Sequence, residues 1–563
     1  MISRRTTVLV FLLILFLSAT AHADWTLDGV PLSTAAGYQA ATIAVADGDG
    51  GAIVVWLDQR NGNNDLYARR VDGAGNALWT LDGVPICTLP SAQSYPSVTS
   101  DGAGGAIIAW EDARNGAGNS DVFAQRVNAG GGVQWTANGV SVCTVALNQF
   151  RPAIVSDAAG GAIVAWEDYR SATNGDVYAQ RINAAGVKQW TEGGVAIAAT
   201  PVTQYEPVIT TDGANGAIIA WSDFTNGHFD IFVQRVDASG VAIWSANGIP
   251  FGVAPNYQTL PAIASDGAGG AIVAWQDSRT GSYDIYARRI LASGIPFWGN
   301  EGGTPVTTAP GYQLAPVIVG DITNHGAFVA WRDLRNGSGN SDIYVNRMNQ
   351  VGGRPWSADG VAVCNALDDQ LEPSIAYDID LGAIVTWYDN RSGETDIYAQ
   401  RVQGGFVQWE PDGIPVCTAD DNQSYPSIVS DGEFGAIVAW HDYRDGLSDI
   451  YAQRIYASGS IPTPVRDTPS LATLSLGANF PNPFSATTVF ELALANEAHV
   501  AVDVFDVAGR RVRRIDVGRV TAGVRRLEFD GRDEMGRPLA SGVYFYRVTT
   551  AAAVTTRKMV IMR

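Results

Sequence analysis

The sequence predicts an all-β chain made of an eight-bladed β-propeller closed by its own N-terminal strand, followed by a small antiparallel β-sandwich. Three observations lead there. All sixteen tryptophans fall into two series of eight: Trp56, Trp110, Trp166, Trp221, Trp275, Trp331, Trp387 and Trp440, and Trp25, Trp79, Trp135, Trp190, Trp244, Trp298, Trp356 and Trp409. Steps within each series run from 53 to 58 residues, a period that marks stacked copies of one supersecondary unit. Each copy holds four short β-rich runs between Gly- and Asp-rich turns, none with helical period. No tryptophan follows Trp440, and the last hundred residues read as apolar–polar alternation instead.

Residues 1–23 read as a secretory signal peptide. Arg4 and Arg5 are followed by the apolar run Val8 to Leu17 and the small-x-small site Ala21-His22-Ala23, so the mature chain is expected to start at Asp24. The run is short for a membrane span, and no transmembrane segment is expected in the mature chain. The propeller is assigned to 24–460, a Pro/Thr/Ser-rich linker to 461–475 and the sandwich to 476–563.

One copy shows the blade. Ser94 to Ser100 is extended, and Asp101-Gly102-Ala103-Gly104 turns the chain. Gly105 to Asp112 reads GAIIAWED, a run suited to burial on both faces. Asp121 to Val127 follows a second turn, and a fourth strand is expected from Val133 through Trp135 to Cys143. Four antiparallel strands per copy, repeated radially, make a propeller. The eighth copy lacks its fourth-strand tryptophan, whereas Trp25-Thr26-Leu27-Asp28-Gly29-Val30-Pro31 matches Trp79-Thr80-Leu81-Asp82-Gly83-Val84-Pro85. The N-terminus is therefore expected to complete the last blade and leave no free sheet edge.

The pattern Pro96…Asp101-Gly102…Trp110-x-Asp112-x-Arg114…Asp121-Val122-Phe123 resembles TolB-like propeller repeats. Arg235 to Trp244, RVDASGVAIW, resembles the tryptophan-docking motif of quinoprotein-type propellers, which are eight-bladed. Neither resemblance implies an activity. In the C-terminal region, three stretches occur in order: Asn479-Phe480-Pro481-Asn482-Pro483-Phe484, Val504 to Arg510, and Asp530 to Tyr544. Together they resemble the sorting domain of type IX secretion cargo and the related immunoglobulin-like domain of flagellar hook-capping proteins. That resemblance implies an immunoglobulin-like fold, the type IX machinery as a partner, and location at a bacterial outer-membrane surface or release outside the cell.

Charge is uneven. Of 37 basic and 57 acidic residues, 14 and 10 lie between Arg466 and Arg563, so residues 1–465 carry a net −24. Such a propeller repels phosphate backbones, and no nucleic-acid partner is expected. Cys87, Cys143, Cys364 and Cys417 occupy one repeat position, filled elsewhere by Ser33, Ala198, Gly252 and Thr307. Equivalent positions in different blades lie too far apart to bridge, so four free thiols are expected.

Candidate sites are weighed against the repeat, because a residue present in all eight copies is first a folding residue. The Trp-x-Asp aspartates (Asp58 and its equivalents) and those opening the third strand (Asp65 and its equivalents), with arginines such as Arg60 and Arg70, are read as holding the loop between second and third strands. Calcium is compatible with these carboxylates, but no motif selects it, and no cofactor is predicted. A recurring glutamine (Gln39, Gln93, Gln149, Gln204, Gln258, Gln313, Gln370, Gln423) should open the innermost strand and tie down its own loop. Specificity is expected instead from residues that vary just before the first-strand proline: Tyr95, Arg151, Glu206, Glu372 and Tyr425, with Leu260 and Ala315 between them. No catalytic motif is present. The expectation is an exported, non-enzymatic binding or adhesion propeller for a glycan or protein. The alternatives are a propeller enzyme acting on carbohydrate or using a quinone, and a structural surface-layer component.

Overall fold

The computed structural model describes residues 25–461 except 117, and beyond them 474–476, 479, 482, 484–494, 498–507, 509–521, 523–550 and 554–563. The signal-peptide assignment for 1–23 and most of the 461–475 linker fall outside the described residues. The chain divides into two compact units, Met1–Thr463 and Pro464–Arg563.

Among the described residues, the first unit consists of eight antiparallel sheets in ring order, an eight-bladed propeller. Blade 1 runs Gln39–Ala46, Ala52–Asp58, Asp65–Val71 and Val84–Cys87 from the channel outward. Its second strand, AIVVWLD, is buried at every position, as its apolar run requires when a sheet packs on both faces. The eighth blade takes three strands from the end of the unit, Gln423–Ser430, Ala436–Asp442 and Asp449–Ile455. Its fourth is Val30–Ser33, with Val30 opposite Ala452. The N-terminal strand thus closes the ring.

The fourth strand is shorter than the sequence reading. Val133 makes a single bridge to Val127, and the regular strand is only Val140–Cys143. Trp135 lies between them because its ring leaves the sheet: it packs on Gly186 of the following blade and donates its indole N–H to Ala184 O at 3.0 Å.

The two tryptophan series do different work. In the first, every indole N–H donates to the aspartate two residues on, at 2.7–3.2 Å. That carboxylate is clamped by an arginine in seven blades. Arg60 reaches Asp58 Oδ2 at 2.5 Å and Asp82 O at 2.8 Å while its guanidinium lies 3.9 Å over the Tyr67 ring. Blade 4 has Thr225 in the arginine's place, bonded to Asp223. Gly83 sits at φ +88, and a Cβ there would lie 2.5 Å from the Trp56 ring, so no other residue fits. In the second series each ring spans to the next blade. Trp79 packs on Gly131 and donates to Ala129 O at 3.0 Å. Trp25 does the same across the closure, packing on Gly75 and donating to Gly73 O at 3.2 Å.

One expectation about the arginines needs correcting. Arg70 does not hold the second-to-third-strand loop; it pairs with Asp47 in the first turn at 2.7 Å, and equivalents such as Arg126–Asp101 and Arg454–Asp431 repeat this. The aspartate must sit in that turn because its Oδ1 also accepts two turn N–H groups, those of Asp49 and Gly51 in blade 1. The four cysteines are buried, free and in equivalent slots. Cys87 Sγ lies 3.7 Å from Asp112 of the following blade, and burial pushes its thiol up to about 12.

The second unit is a two-sheet sandwich. One sheet orders Leu474–Leu476, Thr488–Leu494 and Gly523–Phe529; the other orders Arg511–Val520, Ala498–Asp506, Gly542–Thr549 and Val554–Ile561. Alternating residues, among them Phe490, Leu492, Val502, Val504, Tyr546, Val548 and Met559, meet in its core. The first described strand begins at Leu474, inside the segment assigned to the linker.

Two outcomes follow from this packing. Trp25→Ala should cost about 3–5 kcal/mol of propeller stability, and deletion of residues 24–33 should lower the melting temperature at least as much; an unchanged melt would contradict closure through this strand. The second concerns pH. Burial pushes the carboxyls of Asp176 and Asp342 up to about 6 and that of Asp449 to about 7. A raised folded pKa gives stability that is complete below the unfolded carboxylate value of about 3.9 and is lost as pH rises through about 6–7. In metal-free buffer the melting temperature should be higher at pH 5 than at pH 8, and Asp449→Asn should narrow the gap. The opposite slope would show that these carboxyls do not dominate.

Candidate functional site

The channel mouth is built by a distortion that every blade shares. Each inner strand carries a bulge in which two residues face one across the ladder. In blade 3, Arg151 and Pro152 lie between the Phe150↔Glu167 and Ala153↔Ala165 pairs, opposite Trp166 alone. The first bulge residue has positive φ in all eight blades: Ala41, Tyr95, Arg151, Glu206, Leu260, Ala315, Glu372 and Tyr425, at 47° to 58°. A non-glycine residue there costs roughly 1–2 kcal/mol. Recurrence assigns the bulge to the fold, and the side chain it displays is left to vary. These are the positions singled out from sequence, and the bulge explains why they face the channel.

A second variable set supports the first. The middle residue of Trp-x-Asp also varies (Leu57, Glu111, Glu167, Ser222, Gln276, Arg332, Tyr388, His441), and five of these side chains contact the next blade's bulge. Glu111 Oε1 accepts the Arg151 N–H at 2.7 Å, Glu167 Oε1 the Glu206 N–H at 2.8 Å, and Gln276 Oε1 the Ala315 N–H at 2.5 Å. His441 Nε2 accepts the Thr42 N–H at 3.1 Å, which places its proton on Nδ1. Burial holds that imidazole down at about 4, so it is neutral. Sequence reasoning missed this set. Its signal was present: the middle residue changes from blade to blade while the tryptophan and aspartate on either side do not.

Blades 2 to 4 bring these residues together. Arg151 Nη1 lies 3.3 Å from Glu167 Oε1 and 3.7 Å from Glu206 Oε1. Glu111 is bound through Oε2 by the Ser94 hydroxyl at 3.0 Å. Burial raises the pKa of Glu111, Glu167 and Glu206, against the lowering effect of the N–H donors and Arg151. Glu206 Oε2 is buried without a protein donor. Tyr95, Phe150, Tyr169 and Tyr205 complete a cavity of about 420 Å³ with Glu111, Arg151 and Glu167. It adjoins the mouth proper, about 600 Å³, which Tyr95, Arg151, Glu206, Leu260, Ala315 and Glu372 line with the prolines that follow them. A neighbouring cavity along the inner strands is lined by Ile154, Ile209, Ile263, Ile318 and Ile375 together with Ser97 and Ser374.

Four of the five candidates, Tyr95, Arg151, Glu206 and Glu372, therefore share one cavity. Tyr425 lines neither cavity; its exposed ring lies 5.9 Å from Tyr388 and 5.4 Å from His441. The glutamines open the inner strands as expected but are wholly buried. Gln149 Nε2 donates to Val145 O and Leu147 O, so these amides tie down loops and present nothing to a ligand.

With the geometry in hand, comparison with known proteins finds a family match within the second unit. Residues 482–553 match the FlgD Ig-like domain family. Among solved structures, FlgD of P. aeruginosa is 29% identical over 13% of this chain and 58% of its own, with a TM-score of 0.12. A protein of unknown function from Dyadobacter fermentans is 12% identical, covering 57% and 96%, with a TM-score of 0.34. A PL25 ulvan lyase is 8% identical, covering 77% and 96%, with a TM-score of 0.38. At such scores none of them speaks to the chemistry of this chain. No curated protein matches the sequence.

Proposed function

We propose that this is an exported carbohydrate-binding propeller that recognises its ligand on the arc of the mouth formed by blades 2 to 4. The observation that carries the reading is Arg151 set between Glu167 and Glu206 beside Tyr95 and Tyr205, charges and rings that depart from the eightfold pattern. Fixed carboxylates and a guanidinium suit the paired hydroxyls of a sugar, and tyrosine faces suit its apolar side. Binding is favoured over hydrolysis by the same contacts. Both carboxylates touch one guanidinium nitrogen, so their Oε1 atoms lie no more than about 7 Å apart with the cation between them. Glycoside cleavage needs that space for the scissile bond, and one carboxyl in its acid form.

One observation favours the second reading, a glycoside-cleaving enzyme: Glu206 combines a raised pKa with an unpartnered buried oxygen. For the C-terminal unit, we infer a sorting role in type IX secretion, with the bacterial cell surface or the medium as destination. The motif order around Asn482, Asp506 and Gly531 and the separate fold of this unit support it.

A glycan array probed with the mature protein should identify an oligosaccharide ligand. Tyr95→Ala and Arg151→Ala should each weaken it at least about tenfold, roughly 1.4 kcal/mol, and Tyr95→Ala should do so without changing the melt. Binding untouched by both substitutions would remove this arc as the site. Release of reducing ends by the native protein, lost in Glu206→Gln, would decide for the enzyme. For sorting, a signal peptide and reporter fused to residues 464–563 should reach the surface of a host with type IX secretion; retention in the periplasm would leave the domain a structural module.

A further inference from the structure

The loop between second and third strands treats one aspartate oxygen differently from blade to blade. In blade 1, Asn63 Nδ2 lies 2.8 Å from Asp65 Oδ1, 3.1 Å from Leu89 O and 3.2 Å from Ser91 O. In blade 3, Asn174 Nδ2 repeats the arrangement with Asp176 Oδ1 at 3.0 Å and with Thr200 O and Val202 O at 2.9 Å. The carbonyls come from the loop leading to the next blade, four and two residues ahead of its glutamine. Three oxygens from two blades thus converge on one nitrogen that has two protons to give.

Blades 2 and 6 carry the same aspartate on a loop two residues longer than in blade 1 and one longer than in blade 3, in one pattern: Asn-Gly-x-Gly-Asn-Ser-Asp at 115–121 and 336–342. Here the first asparagine serves the other carboxylate oxygen, Asn115 to Asp121 Oδ2 at 2.5 Å and Asn336 to Asp342 Oδ2 at 2.7 Å. Asp121 Oδ1 and Asp342 Oδ1 are fully buried and meet no protein donor. The equivalent carbonyls, Val145 and Leu147 in one case and Ala366 and Asp368 in the other, are held in place by the Gln149 and Gln370 amides.

We propose that blades 2 and 6 each bind a calcium ion where blades 1 and 3 place an asparagine amide, with Asp121 Oδ1, Val145 O and Leu147 O as protein ligands in blade 2 and Asp342 Oδ1, Ala366 O and Asp368 O in blade 6. An all-oxygen set with a single carboxylate suits a hard cation and not zinc or copper. Among the described residues no three His, Cys, Asp or Glu side chains converge on a metal position, so one carboxylate oxygen and two neutral carbonyls supply the protein's share and water must supply about three to five further ligands. The oxygens stand about 2.8–3.2 Å from the asparagine nitrogen in blade 1 and must close by roughly 0.5 Å to reach calcium–oxygen distances of about 2.3–2.6 Å. In blade 6 a cavity of about 410 Å³ lined by Gly339, Asp368, Asp369, Asn390, Glu394 and Asn422 gives an acidic approach over the same loops.

Equilibrium dialysis of the full mature protein against calcium chloride should find two ions per chain, with dissociation constants near the 10⁻⁴–10⁻³ M of extracellular modules. Asp121→Asn and Asp342→Asn should each remove one ion. Asn63→Gly clears the same position in blade 1 and should add one, a gain that misfolding cannot produce. Calcium should also raise the melting temperature, where potassium chloride at equal ionic strength does not. No uptake at about 10 mM calcium, uptake unchanged by both aspartate substitutions, or an equal effect of potassium would overturn the proposal and leave these oxygens to ordinary internal water.

Discussion

Everything in the propeller rests on a buried indole that needs both an acceptor and a flat neighbour. A first-series tryptophan is sealed inside its blade, and leaving its N–H unpaired there would cost roughly 1–3 kcal/mol. The aspartate two residues on supplies the acceptor, yet a buried carboxylate is itself expensive unless paired and hydrogen-bonded. The arginine two residues further, lying on the third-strand aromatic and reaching the turn before the fourth strand, completes the pairing. Glycine at that turn leaves room for the ring edge. Indole, carboxylate, guanidinium and glycine are therefore one unit, and removing one member leaves the others unsatisfied.

The same economy explains how separate blades become a ring. Blade-to-blade contact is made by the second tryptophan on a glycine turn and by an arginine such as Arg126, which pairs with Asp101 in its own blade and donates to Ala184 O in the next. Each blade leans on its neighbour for these contacts, and only a closed circle gives every blade a neighbour. Trp25 and the Val30–Ser33 strand complete the circle, with Arg444 donating to Asp28 O.

Against this repetition the mouth is where the chain is free to differ. The bulge turns one residue per blade toward the channel at a backbone cost shared by all eight, and in four blades the middle residue of Trp-x-Asp accepts an N–H of the next bulge. With two glutamates in that middle position and Arg151 and Glu206 on the bulges, blades 2 to 4 concentrate charge, whereas Leu260 and Ala315 leave the following arc apolar. A scaffold with eight equal positions thus yields one distinctive sector.

By itself the sequence determined the blade count, the order of strands, the N-terminal closure, the separate sandwich and the shared slot of the cysteines. These follow from periodicity and alternation, which are properties of the chain read in order. It also pointed to the variable positions before the prolines. Only the tertiary structure decided which of them meet. Glu111 and Arg151 are 40 residues apart, and their contact depends on how one blade is set against the next. The same holds for the pairing of Arg70 with Asp47, for the placement of Trp135 outside its strand, and for the loop oxygens around Asp121 and Asp342. Each is a contact across a turn or a blade boundary, where distance in space is set by packing and leaves no periodic trace in the sequence.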